Sequence, residues 1–146
     1  MGSLSQALDA AESEVERAPR DASALERLGR LRLRRFDRAG AREALERACA
    51  LAPTEQGLLD LALVAHLEGE TGAEVSACEL ATALAPDSPA AWSRLAHALA
   101  RTDRSTECLA ACERALALAD DAEVRDLRAQ VLAQAPRALA RESAVA

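Results

Sequence analysis

Thiols and imidazoles are the groups in this chain best suited to covalent or metal chemistry: Cys49, Cys78, Cys108 and Cys112, with His66 and His97. Cys108 and Cys112 are four residues apart and would share one face of a helix. With Cys78 they could offer three thiolates to Zn²⁺, and His66 or His97 could be the fourth ligand. The spacings do not support that chemistry, because no Cys-x-x-Cys pair occurs. Cys78, Cys108 and Cys112 also fall in recurring slots that want a compact apolar residue, a role reduced Cys fills well. Cys49 follows Ala48, on a helix flank. Packing is therefore the favoured reading, with no metal and no cofactor. Unpaired thiols in a chain that is not small and loop-rich suit a reducing, cytoplasmic setting. Neither histidine has a Ser, Cys or carboxylate at a recognisable catalytic spacing, so no catalytic residue and no enzymatic activity are expected.

Charge speaks to partners rather than to reactions. The 146 residues are one domain's worth of chain and carry a net charge of −6. All 18 basic residues are arginine, and they are unevenly spread. Residues 22–55 hold eight arginines against five acids, whereas residues 56–88 hold six acids and no arginine. The favoured reading is that neighbouring segments neutralise each other, which adds little stability. The alternative is a dipolar surface that orients a charged partner. Nucleic acid is not expected as a partner, because the arginines lack interleaved aromatics. The first 18 residues mix five charged positions with apolar ones, so they read as neither a signal peptide nor a membrane span. No membrane insertion is expected.

Helices must position these side chains. Half of the residues are apolar, yet the aromatics are only Phe36 and Trp92, so Ala and Leu carry the burial. That composition suits close helix packing and opposes a strand-rich fold. Ser3 and Gln6 form a capping box before Leu4, Ala7, Leu8, Ala11 and Val15, which predicts a helix over 4–17. Asp21 caps a helix of about 22–35 with the stripe Leu25, Leu28, Leu31, and Asp37 caps the next, about 38–51. A densely apolar helix of about 55–68 follows, then a turn framed by Gly69 and Gly72. Ser88 and Pro89 open the helix of Trp92, Leu95, Ala96 and Leu99. Asp103 caps its partner of about 104–118, and Asp120-x-x-Glu123 starts a last helix that ends near residue 134. After Pro136, residues 136–146 show no period and are expected to form a flexible tail.

Three stretches copy one pattern. Leu25-x2-Leu28-Gly29, Ala41-x3-Leu45-x2-Ala48 and Pro53 return as Leu58-x2-Leu61-Ala62, Glu74-x3-Cys78-x2-Ala81 and Pro86. They return again as Trp92-x2-Leu95-Ala96 and Cys108-x3-Cys112-x2-Ala115, with Asp120 in place of the proline. Periods of this size mean stacked supersecondary units. The skeleton resembles the tetratricopeptide repeat over about residues 22–122. The resemblance implies an all-α, right-handed α-solenoid of about three helix-turn-helix repeats, at about 22–55, 55–88 and 89–122. An N-terminal half-repeat helix (4–17) and a C-terminal capping helix (122–134) complete a single domain over 1–135. Arg32 departs from the family pattern by standing where an aromatic is usual, with its stem packed and its guanidinium reaching solvent. Glu74 departs by occupying a small-residue slot: either its helix rotates to bury Ala73 and Ala77, or the junction is loose. Trp92 is expected in the core, joining the second and third repeats.

The resemblance also implies a non-enzymatic interaction module or scaffold that holds a protein or peptide segment in a concave groove. Leu59, Leu63 and Leu67 stand beside the core stripe of Leu58, Leu61 and Ala65, so in the family frame they line that groove, with Leu63 exposed in the free protein. Glu26, Arg30, Leu33 and Arg34 flank them on one side. Ser93, His97 and Arg101 flank them on the other, and His66 joins the second-repeat positions. An apolar strip with an arginine rim is the physical form of a peptide groove. The tail or a second copy of the chain could cover it instead, so a homo-oligomer is compatible with the pattern. Some family members clamp a C-terminal carboxylate through Lys and Asn, but the corresponding positions here are Glu26, Arg30, Asp60, Ala90 and Arg94, so that clamp is largely absent. A secretion-type chaperone for an apolar client, and a docking domain of a larger enzyme or regulator, are the alternatives.

Overall fold

A computed structural model describes residues 2–145, with side chains described through residue 135. Among the described residues there are eight helices and no strand. The chain groups into two compact units, Met1–Ala81 and Thr82–Ala146.

In the first unit, α1 (Leu4–Arg17) starts at the expected capping box, in which Ser3 and Gln6 each accept the other's backbone N–H. Asp21 caps α2 (Ala22–Arg34) through the amides of Ser23 and Ala24, and Asp37 caps α3 (Arg38–Leu51) through that of Gly40. Thr54 caps α4 (Glu55–Leu67) through the amide of Gly57, and α5 (Thr71–Leu84) follows. Ala11, Leu28 and Ala44 join α1, α2 and α3 in one buried cluster, with Leu8, Val15 and Leu31 packed against it. Ala41, Leu45 and Val64 make a second, flanked by Leu33 and Leu61. Gly29 makes the α2–α3 approach possible, since a Cβ there would lie 2.5 Å from Leu45 Cγ.

Two departures from the family pattern resolve differently from expectation. Glu74 is itself buried, 2% exposed, while Ala73 is exposed and Ala77 half-buried, so α5 does not rotate to bury the alanines. The repeat register holds and the carboxylate is taken inside, with Oε2 3.4 Å from His66 Nδ1. The Arg32 guanidinium does not reach freely into solvent. It donates to the Gly40 carbonyl at 3.1 Å and to Glu12 at 3.4 Å, so one side chain ties α1, α2 and the start of α3. A buried or half-buried polar group needs such partners, and the sequence frame alone does not show where they stand.

In the second unit, Ser88 caps α6 (Pro89–Leu99) with Pro89 at its first turn. α7 (Ser105–Leu118) and α8 (Ala122–Val145) follow. Ala91, Leu95, Ala96, Ala98 and Leu99 are the buried residues of α6, and Cys108, Ala111, Cys112 and Ala115 those of α7. The Cys108 thiol donates to the Ala96 carbonyl at 3.3 Å, which seats α7 on α6. Trp92 is half-buried rather than a core residue: its Nε1 donates to the Pro86 carbonyl at 2.8 Å, and the Arg114 guanidinium stands 5.9 Å from the ring centre. The indole N–H needs a polar partner, and the ring settles where one is available. Asp103 does not cap α7, whose N-cap position is Arg104, with no side-chain cap bond. Asp121, not Asp120, caps α8 through the amides of Glu123 and Val124. α8 also continues past residue 134 to Val145, because the alanine-rich stretch after Pro136 keeps helix propensity high beyond the proline. The side chains of the expected flexible tail, 136–146, lie outside the described residues.

Candidate binding surface on α2 and α4

One polar network links the middle of α2 to the start of α4. Glu26 accepts from the Thr54 hydroxyl at 2.7 Å and from the Arg30 guanidinium. Arg30 Nε donates to Asp60 Oδ2 at 2.8 Å, and Gln56 donates to the other Asp60 oxygen at 2.9 Å. Asp60 is buried, which its two donors make tolerable. Arg30 therefore does not form a free rim charge: two carboxylates of its own chain hold it, and Thr54, Gln56 and Asp60 enter the site as its supports. Cys49 lies behind the same network. Burial, and then the negative charges of Glu26 and Asp60, push its thiol up from the ordinary value. A thiol so held stays protonated and is a poor nucleophile.

Beyond the network the surface turns apolar. Leu59 and Leu63 are half-buried, and only Leu67 is clearly exposed, at 41%. The strip thus opens toward the end of α4 instead of lying bare along its length, and Leu63 is not the exposed residue expected. Leu33 is half-buried against the Ala41, Leu45 and Val64 cluster. His66 is exposed beside Glu74, and Arg34 is exposed with no hydrogen bond or ion pair among the described residues.

The remaining sequence-derived positions lie in the second unit. Ser93 and His97 are half-buried one turn apart on α6, with His97 Nδ1 2.8 Å from the Ser93 carbonyl, and Arg101 is exposed just past the helix. Arg94 Nε is buried without a hydrogen-bond partner among the described residues. The thiols of this unit are packed groups. Burial pushes Cys108 up, and burial with the neighbouring Cys108 pushes Cys112 up to about 11. Among the described residues, no three His, Cys, Asp or Glu side chains gather as metal ligands. No described helix is long and apolar enough to cross a membrane.

Phe36, in the turn after α2, is not among the expected groove residues. It is 84% exposed, with φ +62°. The signal was present in the repeat frame, which sets Phe36 opposite Gly69.

No protein-family model matches the sequence, and no curated protein matches it. Solved structures do match. MamA AMB-1 superposes with a TM-score of 0.81 at 23% identity, over 92% of this chain and 74% of that one. YrrB, a tetratricopeptide protein described as having an unusual peptide-binding site, gives 0.82 at 16% identity, over 91% and 70%. The first tetratricopeptide domain of Spaghetti (RPAP3), solved with the HSP90 peptide SRMEEVD, gives 0.71 at 21% identity, over 82% and 93%. This chain has the helical-repeat fold of the tetratricopeptide proteins.

Proposed function

We propose that the chain is a non-enzymatic protein-interaction module that holds a peptide or protein segment against the α2 and α4 surface. The observation that carries this reading is the junction on α4 between a fixed polar network and an opening apolar strip. Glu26, Arg30 and Asp60 hold one another in place, so their unused hydrogen-bonding capacity is offered in a fixed geometry. Leu63 and Leu67 supply adjacent apolar area. A preorganised polar patch beside an apolar anchor limits what binding costs in ordering. The peptides bound by YrrB and RPAP3, which share the fold, support the same class of ligand. Ser93, His97 and Arg101, in the second unit, are proposed as further binding positions from their place in the repeat alone. Nucleic acid is disfavoured because Arg30, Arg38 and Arg42 already bond to carboxylates or a carbonyl of the chain. The cytoplasm is the proposed location.

The test is selection from a displayed random peptide library, followed by titration of the enriched peptides against variants. Leu67→Glu leaves melting unchanged because the side chain is exposed, and it weakens binding at least about tenfold, the scale for placing a charge in an apolar contact. Asp60→Asn removes one of the two negative charges that hold Arg30 and shifts the selected sequences toward acidic residues. Selected peptides that bind Leu67→Glu and Leu63→Glu as tightly as the parent would remove α4 from the site.

A further inference from the structure

The turn after α2 and the turn after α4 have the same backbone. After α2, Phe36 N–H bonds to the Leu33 carbonyl at 2.9 Å and Asp37 N–H to the Arg32 carbonyl at 3.0 Å. After α4, Gly69 N–H bonds to the His66 carbonyl at 3.1 Å and Glu70 N–H to the Ala65 carbonyl at 2.9 Å. This double closure needs a left-handed residue just past the helix, the position where glycine is at ease. Gly69 fits it, at φ +75°. Phe36 occupies the equivalent place at φ +62° with 84% of its surface in solvent. The ring gains little packing that could offset the strained backbone, and local rules broken without internal compensation cluster where a protein meets something else.

The surroundings indicate what that something is. Arg34 and Arg35, just before the ring, are exposed and make no side-chain hydrogen bond or ion pair among the described residues. Arg30, Arg32, Arg38 and Arg42, from the same helix pair, all have protein partners. Arg38 ties the two turns together: its backbone N–H bonds to the Phe36 carbonyl at 3.1 Å, and its guanidinium to the Leu67 carbonyl at 2.8 Å. Two free guanidiniums, an exposed ring and an exposed leucine thus lie on two turns of the first unit that Arg38 ties together.

We propose that Arg34, Arg35, Phe36 and Leu67 form a docking tip for an acidic segment of a partner protein that carries an apolar side chain. The guanidinium forks match carboxylates, and the ring and leucine receive the apolar group. An anionic bilayer or a nucleic acid is a poorer match. Arg34 and Arg35 are the only guanidiniums on these two turns without a partner among the described residues, and a single ring is offered, fewer cationic and stacking groups than a bilayer surface or a strand of bases would engage.

The test uses the whole chain and a fluorescein-labelled peptide of Asp-Glu-Leu triplets, followed by anisotropy. Control peptides replace Leu with Ser, or the acids with Lys. The Asp-Glu-Leu peptide alone should bind, with Phe36→Gly weakening it at least about fivefold while melting at a higher temperature, and with Arg34→Glu/Arg35→Glu abolishing it. The rise in melting temperature separates loss of a contact from loss of folding. Leu67 belongs to both surfaces, so Leu63→Glu, which should leave this binding unchanged while weakening that of the library-selected peptides, is the variant that tells the tip from the α2–α4 surface. The proposal is overturned by absence of binding, by equal binding of the Ser or Lys peptide, or by equal binding to Phe36→Gly. Phe36-dependent binding to phosphatidylglycerol vesicles or to single-stranded DNA, in place of the acidic peptide, overturns it as well.

Discussion

Repeats one and two share a frame and break it in opposite places. In repeat one the turn is strained, with Phe36 in the left-handed region, while the small-residue slot on α3 holds Ala41, fully buried and smooth. In repeat two the turn is relaxed at Gly69, while the matching slot on α5 holds the buried carboxylate of Glu74. Leu33 likewise answers to His66, so the imidazole beside Glu74 has a leucine as its counterpart in repeat one. The buried acid therefore comes with its own polar neighbour, whereas the exposed ring comes with no internal one. A deviation that carries its own compensation is structural; one that lacks it points outward.

Exchanging residues between the two repeats tests that distinction. Ala41→Glu should have the largest effect, costing more than about 3 kcal/mol in urea unfolding, because a carboxylate would be buried facing Leu33. A loss under about 1 kcal/mol would mean that the slot is not defined by packing. Gly69→Phe should cost roughly 2 kcal/mol. No atom lies within 4 Å of the Cβ position there, so the loss would be conformational rather than steric. Phe36→Gly should raise stability by about 0.5–1 kcal/mol, the relief of the turn less the freedom glycine adds to the unfolded chain. An unchanged or lowered denaturation midpoint would mean that the ring has a packing role. Glu74→Ala should change stability least, by about 0.5 kcal/mol or less, as loss of the His66 contact opposes relief of a desolvated charge. A drop above about 2 kcal/mol would make Glu74 an organiser of repeat two.

The helical-repeat fold was legible because its signals are local and periodic. The Ser3, Asp21, Asp37 and Ser88 caps, and the stripe of Leu25, Leu28 and Leu31, follow from spacing alone. What escaped the sequence depends on long-range partners. Arg32 looked solvent-bound until Glu12 and the Gly40 carbonyl stood around it, and Asp60 looked like an altered clamp position until Arg30 and Gln56 closed on it. Trp92 was placed too deep because residue size was read as burial, whereas its N–H draws it to the Pro86 carbonyl. Cap choice between adjacent acids, Asp120 or Asp121, turns on backbone angles that composition does not encode.

The arginines reaching from α3 have a consequence for motion. Arg38 holds the last carbonyl of α4, and Arg42 bonds to Glu68 and, at 3.0 Å, to Glu70, so the joint after α4 is fastened from outside. Glu68 raises the Arg42 pKa further, and a guanidinium keeps its charge across the neutral range, so mobile ions rather than protons loosen this fastening there. Deuterium exchange at the Gly69 and Glu70 amides should be slow in dilute buffer and quicken as salt is added, while amides in the middle of α2 stay indifferent. The joint is then a hinge whose stiffness is set by the surrounding electrolyte.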